Sequence, residues 1–196
     1  MIKITNNMQG IKKTAIILLI IALLISLYID YLYFKEKERY EDKYRIFLNH
    51  LYFNIDHSLK TVSKILDEET PSSQQDKNFL RLSNSLMQTH LLLSESLFYL
   101  DDYHYGITFF QEVNNAIDGF EYNGKKISPF LADKKIDKSE RAYLVELKNV
   151  LSEMQQKLYS EETGQENPNI SKYVFHETIR RADHFTLLKK YIDNLE

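Results

Sequence analysis

The sequence predicts an all-α protein in which an N-terminal transmembrane helix is followed by an antiparallel bundle of four to five helices. A run of sixteen uncharged residues lies near the N terminus, and apolar residues recur at spacings of three and four through most of the remaining chain. Five Gly and three Pro among 196 residues argue against a turn-dense β-sandwich or barrel. We therefore predict a short tail (1–13), a membrane anchor (14–34) and a helical-bundle domain (35–196).

The anchor prediction depends on length as well as on apolar character. The segment 14–34 contains one charged residue, Asp30, and as a helix it spans about 31 Å, enough to cross a bilayer core. Lysines precede the segment and tyrosines occupy its far end, which is typical of interfacial residues that contact lipid headgroups. These anchor residues are Lys12, Lys13, Tyr28, Tyr31 and Tyr33.

Two other interpretations of the apolar segment are less favoured. A cleaved signal peptide needs small residues at its cleavage site, and 26–31 contains no Ala-x-Ala pattern. A buried helix of a soluble protein would need covering surfaces on every side, because this segment is apolar all round. The sequence therefore favours an uncleaved anchor, with the lipid bilayer as its first partner.

The orientation of the anchor is harder to predict, because basic residues flank it on both sides. Counting positive residues alone would place the bundle in the cytoplasm, where it would act as a tethered adaptor. The downstream lysines and arginines are interleaved with acidic residues, however, and Lys12 and Lys13 directly abut the first apolar segment. We therefore expect a single-pass protein of the cell membrane with an extracytoplasmic bundle.

The first helix of the bundle is predicted to continue from the anchor and to end near 67–69. Its apolar stripe also suits a coiled-coil homodimer. The stripe consists of Tyr44, Leu48, Leu51, Ile55, Leu59, Val62 and Leu66. A polar linker containing Pro71 follows.

The second predicted helix runs from about Asp76 to about Asp101, and His90 fills a gap in its apolar stripe. That stripe consists of Phe79, Leu82, Leu86, Leu93, Leu97 and Leu100. A shorter helix containing Phe109, Phe110, Val113 and Ile117 should end at Gly119.

The stretch from Phe120 to Ile127 contains Asn123-Gly124, a strong hairpin signal. We favour a loop there, because an isolated two-stranded hairpin is only marginally stable in water.

The C-terminal part of the chain predicts two more helices separated by a solvated linker (160–169). Asp137 and Glu140 have the spacing of a capping box at the start of the first one. Its apolar seam consists of Leu144, Leu147, Leu151, Met154 and Leu158. The last helix is predicted from about Ile170 to the terminus, with a stripe of Val174, Ile179, Ala182, Phe185, Leu188, Ile192 and Leu195.

The sequence gives no convincing catalytic or metal site, and we expect neither an enzyme nor a cofactor. Cysteine is absent, the six histidines lack metal-ligand spacing, and the scattered glycines form no phosphate-binding loop. After residue 34 the chain has 22 Lys and Arg against 27 Asp and Glu, a formal charge of −5. We therefore predict no nucleic-acid partner, and we interpret the lysine-rich loop 125–138 as solvated surface.

An aromatic cluster at a predicted helix-to-helix turn is the best candidate for a protein-binding or ligand-binding groove. Tyrosine gives a large contact area at a low entropy cost, although the same residues also suit core packing. The candidate groove residues are His90, Phe98, Tyr99, Tyr103, His104, Tyr105, Phe109 and Phe110.

The layout resembles the N-terminal helical region of YpeB-type spore-germination proteins, in which a short membrane anchor precedes a helical segment. The similar positions are Tyr44, Leu51, Phe53, Ile55 and Asp56, then Arg81, Leu82 and Ser83, then Ile136 to Glu140 with Leu144 and Leu147. The C-terminal repeat domains of that family have no counterpart in this chain. The resemblance implies an envelope protein of a spore-forming bacterium. The anchor, the helical seams and the absence of reactive motifs predict a non-catalytic role in protein association. The alternative is a sensor in which the aromatic cluster or the bundle core binds a small ligand.

Overall fold

The computed structural model describes residues 2–96, 108–122, 124–130, 132, 135–180 and 184–193. Within these residues the helices are α1 (Ile2–Leu66), α2 (Ser72–Ser94), α3 (Thr108–Asp118), α4 (Lys138–Leu158), α5 (Lys172–Arg180) and α6 (His184–Asp193). The strands are β1 (Phe120–Tyr122), β2 (Lys125–Ile127), β3 (Tyr159–Ser160) and β4 (Gln165–Glu166). The predicted all-α class is confirmed. The predicted end of the second helix near Asp101 lies outside the described residues.

The chain divides into two compact units, 1–43 and 44–196, and the division falls within α1. The sequence placed the boundary at residue 34, whereas the first unit also includes the charged stretch 35–43. That stretch carries ion pairs between neighbouring helical turns, Arg39 with Glu36 and Lys37 with Glu41. Such pairs stabilise a helix that is polar all round and has no buried face of its own.

The core of the second unit is built around the C-terminal part of α1. Leu51, Ile55 and Val62 are completely buried. Phe47 contacts Phe175 of α5 edge to face, with ring centroids 5.4 Å apart. The apolar stripe predicted for a coiled-coil dimer is therefore occupied within the chain itself, and a dimer through that stripe would have to open this core.

Hydrogen bonds show that α1 is antiparallel to both α2 and α4. The hydroxyls of Ser58 and Ser85 lie 2.7 Å apart, while Gln75, earlier in α2, donates to the carbonyl of Ile65, later in α1. At the start of α4, Arg141 donates to the carbonyl of Leu66. Near the end of α4, Gln155 donates to the Tyr52 hydroxyl. The predicted antiparallel packing holds for these helices.

The segment after α3 forms a β-hairpin, so the predicted loop is wrong. Phe120 pairs with Ile127 across β1 and β2, and Gly124 takes a φ of 77° at the turn. The hairpin is not isolated, because Ile127 is buried in the core and the Phe130 amide donates to the Ile117 carbonyl. Packing against α3 supplies the stability that an isolated two-stranded ribbon lacks.

Gly119 is required where α3 meets this hairpin. Its φ is 86°, and a Cβ atom there would lie 2.8 Å from the backbone nitrogen of Pro129. Glycine is the residue that tolerates both the left-handed conformation and the close approach.

The predicted solvated linker 160–169 is also more ordered than expected. Tyr159–Ser160 pairs with Gln165–Glu166 as a second hairpin. The Asn49 amide of α1 donates to the Glu166 carboxylate at 2.8 Å, which holds the hairpin against the bundle. The C-terminal helix predicted as continuous consists of α5 and α6, with 181–183 outside the described residues.

The predicted capping box at the start of α4 is confirmed. Asp137 accepts from the Glu140 amide at 2.7 Å, and the Glu140 side chain accepts from the Asp137 amide at 2.9 Å. We expect Asp137→Ala to lower the free energy of unfolding by about 1 kcal/mol, measured by denaturant titration of the full chain in detergent micelles. Asp137→Asn keeps a capping oxygen and should lose less than half as much. Equal losses in the two variants would contradict a capping role.

Candidate functional site

The uncovered apolar segment of α1 is the first candidate functional feature. Among the described residues, α1 alone is long and apolar enough to cross a membrane, and none of its most apolar window is buried. Leu19 and Leu24 are 69% and 60% exposed. Burying one such side chain is worth about 1.5 to 3 kcal/mol, so a segment of this length strongly favours an apolar surrounding.

The predicted interfacial residues lie along this segment. Tyr28, Tyr31 and Tyr33 are all exposed near its C-terminal end, and Lys13 is exposed at its start. The side chain of Lys12 lies outside the described residues. The alternative of a buried soluble helix would need a cover for this face, and the described part of the chain provides none.

Of the eight residues predicted to form an aromatic groove, the structure describes the side chains of Phe109, Phe110 and His90. Phe109 and Phe110 are 2% and 0% exposed and pack against each other within the core, with ring centroids 5.1 Å apart. His90 is half-buried on α2, and its backbone carbonyl accepts from the Ser94 hydroxyl. The predicted groove residues Phe98, Tyr99, Tyr103, His104 and Tyr105 lie outside the described residues.

A different groove lies between α4 and α6. Its volume is about 450 Å³, within the range of small-molecule sites in proteins. It is lined by Ala142, Tyr143, Val145, Glu146, Leu187, Lys190, Tyr191 and Asp193. Two contacts join the helices there, between Tyr143 and Tyr191 and between Glu146 and Lys190.

The floor of this groove belongs to a cluster of three aromatic rings. The Tyr143 and Tyr191 centroids are 5.2 Å apart, and Phe130 lies 5.5 Å from Tyr143 and 5.3 Å from Tyr191. Tyr143 and Tyr191 are only 2% and 3% exposed as whole residues. Leu187 adds an aliphatic surface beside them. The floor is therefore rigid, apolar and aromatic.

The surroundings of the groove are acidic. Lys190 pairs with Glu146 at 3.5 Å, and Asp193 lies on the same rim. Burial raises the pKa of Tyr143 far above its ordinary value of 10.0, and the neighbouring Tyr191 and Glu112 raise it further. Burial also raises the pKa of Tyr191, with added effects of Glu140 and Asp137. Both tyrosines are neutral hydrogen-bond donors over the whole physiological pH range.

Sequence periodicity missed this groove for an identifiable reason. The predicted C-terminal stripe included Leu188 and Ile192, whereas Leu187 and Tyr191 are the buried residues. The predicted stripe extended one helical phase from α5 into α6, and in α6 that phase selects Leu188 and Ile192 instead of Leu187 and Tyr191. The spacing of four between Leu187 and Tyr191 was the available signal.

No group of three or more His, Asp or Glu side chains in the described ranges is placed to hold a metal ion. His50 and His57 are both exposed on α1 and are seven residues apart. Nothing in the described geometry therefore points to metal chemistry.

No protein-family model, curated protein or solved structure matches the chain. Two features of the molecule itself therefore bear on its function. These are the uncovered apolar segment of α1 and the groove between α4 and α6.

The raised pKa values of Tyr143 and Tyr191 predict a loss of stability at alkaline pH. The stabilisation is complete below pH 10 and declines above it, because the unfolded chain then releases protons that the folded chain retains. We expect the free energy of unfolding to fall by about 1.4 kcal/mol for each tyrosine between pH 9 and about 11. Denaturant titrations over this pH range measure the fall.

Phenylalanine variants provide the controls for this pH dependence. The double variant Tyr143→Phe, Tyr191→Phe should remove most of the decline in the free energy of unfolding. Tyr173→Phe changes a residue that is 74% exposed and should leave the decline unchanged. The same slope in all three proteins would refute the assignment to the buried pair.

Proposed function

We propose that this chain is a single-pass membrane protein whose helical bundle acts by protein–protein association at the bacterial cell envelope, without catalysis. The observation that carries the proposal is the uncovered apolar segment of α1 in a chain whose second unit has a buried core of its own. A tethered bundle meets partners that lie in, or next to, the same membrane.

The proposed side of the membrane is extracytoplasmic. Lys12 and Lys13 directly before the span favour retention of the tail in the cytoplasm. The resemblance to the anchor and first helices of YpeB-type proteins supports the same envelope location.

A non-catalytic role is supported by the sequence and by the described geometry. The sequence lacks a nucleophile elbow, a thiol and a phosphate-binding loop. Several buried polar and charged side chains that the structure describes have structural partners, such as Ser58 with Ser85 and Glu140 with Asp137. These contacts stabilise helix packing and helix ends.

A natural sequence feature allows the topology to be tested with the full chain. Asn169-Ile170-Ser171 is an acceptor sequence for N-linked glycosylation, and Asn169 is exposed in the loop before α5. Translation in the presence of endoplasmic-reticulum microsomes should give a glycosylated product if the bundle is translocated. Asn169→Gln is the matched control and should abolish the glycosylated product.

The opposite outcome would have a clear meaning. An unglycosylated, protease-sensitive bundle on membrane-integrated chains would overturn the extracytoplasmic assignment and favour the tethered cytosolic adaptor. Protease accessibility on intact protoplasts makes the same distinction in a bacterial cell.

Association is tested by comparing three tagged proteins after mild solubilisation of envelopes. These are the full chain, the first unit alone (1–43), and a chain in which an unrelated transmembrane helix replaces 14–34. We expect specific partners to co-purify with the first and third proteins and not with the second. If the first unit alone retains the same partners, the bundle is not the interacting part.

A small-ligand sensor is the second candidate function, and the groove between α4 and α6 is the observation that favours it. A ligand signal would pass to another membrane protein through association. The groove would then bind the ligand first, and the bundle surface would contact the membrane protein afterwards.

A further inference from the structure

We propose that the groove between α4 and α6 binds a small organic cation of the alkylammonium type. Its volume of about 450 Å³ accommodates such a molecule, and it lies wholly within the second unit. Three features of its lining converge on this ligand class: the charge of the rim, the aromatic floor, and the ion pair already present.

The charge around the groove favours a cation. Glu146 and Asp193 lie on the rim against a single lysine, Lys190, which gives the charged lining residues a formal charge of −1. Three further carboxylates act electrostatically on the two tyrosines of the floor, and they belong to Glu112, Asp137 and Glu140. The field of these carboxylates repels an anionic ligand and attracts a cation.

The floor favours an organic cation over a metal ion. Aromatic rings attract ammonium groups, and Tyr143 and Tyr191 line the groove with the small part of each residue, 2% and 3%, that is exposed. Leu187 and Val145 add aliphatic surface that suits methyl and methylene groups. A hydrated metal ion would gain little from these apolar side chains and would find few oxygen ligands near them.

Lys190 already places an ammonium group beside a carboxylate at the rim of the groove. Its Nζ atom lies 3.5 Å from Glu146, yet the two side chains are 58% and 45% exposed. An ion pair this exposed contributes little to stability, so an external ammonium can displace it at a small cost. Removal of Lys190 should therefore strengthen ligand binding.

This inference goes beyond membrane-anchored protein association and is tested separately from it. Cation binding can fail while the bundle still captures its partners, because the groove occupies only one face of α4 and α6. Partner capture can equally fail while the groove binds its ligand. The two experiments use different readouts and different variants.

The test is isothermal titration of choline chloride into the full chain in maltoside micelles. We expect saturable binding of one choline per chain. The neutral isostere 3,3-dimethylbutan-1-ol, which has the same shape without the charge, should not bind measurably. Tyr191→Phe keeps the ring and should change the Kd by less than about threefold, whereas Tyr191→Leu should weaken binding about tenfold.

Two rim variants keep the test decisive if Tyr191→Leu unfolds the protein. Glu146→Gln should weaken choline binding about fivefold, and Lys190→Met should strengthen it about threefold. Both side chains are substantially exposed, so unfolding midpoints should stay unchanged. Equal binding of choline and its neutral isostere, no saturation by choline, or no response to Glu146→Gln would each overturn the proposal.

Discussion

Replacing Leu23 and Leu24 together with arginine is expected to release the chain from the membrane fraction. Both residues lie at the centre of the apolar segment and are about 60% exposed along α1. Arginine at the centre of a membrane span costs about 2.5 to 3.5 kcal/mol by insertion measurements, so the pair costs about 5 to 7 kcal/mol. Alkaline carbonate extraction followed by immunoblotting separates integrated from released protein.

A matched control distinguishes loss of the span from a general effect of added charge. Leu80 and Leu91 on α2 are also exposed apolar residues, at 62% and 53%. The Leu80→Arg and Leu91→Arg double variant should remain in the membrane pellet like the unmodified chain. If the double variant at 23 and 24 also stays in the pellet after carbonate treatment, the anchor assignment to 14–34 is refuted.

The second large effect is expected at Phe175, where α5 contacts α1. Its side chain is completely buried and meets Phe47 at 5.4 Å and Tyr44 at 6.5 Å, both edge to face. Phe175→Ala removes these contacts and leaves a cavity, so the free energy of unfolding should fall by about 3 to 5 kcal/mol. Denaturant titration of the full chain, followed by circular dichroism, measures the change.

Tyr173 supplies the control on the same helix. It lies two residues away and is 74% exposed, so Tyr173→Ala should change the free energy of unfolding by less than about 0.5 kcal/mol. A similar small effect for both variants would mean that α5 does not pack on α1 as described. Equally large losses would point instead to a requirement for helix propensity in α5.

The elements that the sequence predicts well are those specified by neighbouring residues. The end of α1 near residue 66, the capping box of Asp137 and Glu140, and the buried stripe of α4 all depend on spacings of three or four. Within one helix, such spacings determine which side chains share a face. The apolar segment of α1 belongs to the same class, since its length and composition are local properties.

The two hairpins were harder to predict, because their stability depends on distant residues. β1 and β2 pack through Ile127 and Phe120 onto the core, and Glu166 of β4 accepts a hydrogen bond from Asn49 of α1, 117 residues away. Neither contact leaves a periodic signal in the sequence. The low stability of isolated strands led to a predicted loop at the first hairpin, and polar composition led to a predicted linker at the second.

The groove between α4 and α6 was hard to predict from the sequence for the same reason, because distant residues form it. Tyr143 and Tyr191 line the groove although they belong to different helices. Phe109 and Phe110 were predicted as groove residues from their neighbours in sequence, but both are buried in the core. Adjacent residues on a helix point in different directions, so a cluster in sequence need not be a cluster in space.

Composition and spacings within single elements are enough to predict the helical class, the membrane-length apolar segment and most helix ends. Which faces are covered depends on contacts in the folded chain: the stripe of α1 is buried within its own bundle, two short hairpins are held by packing, and an acidic, aromatic groove forms where α4 meets α6. These features depend on contacts between residues far apart in the chain, and such contacts form only when several helices pack at once.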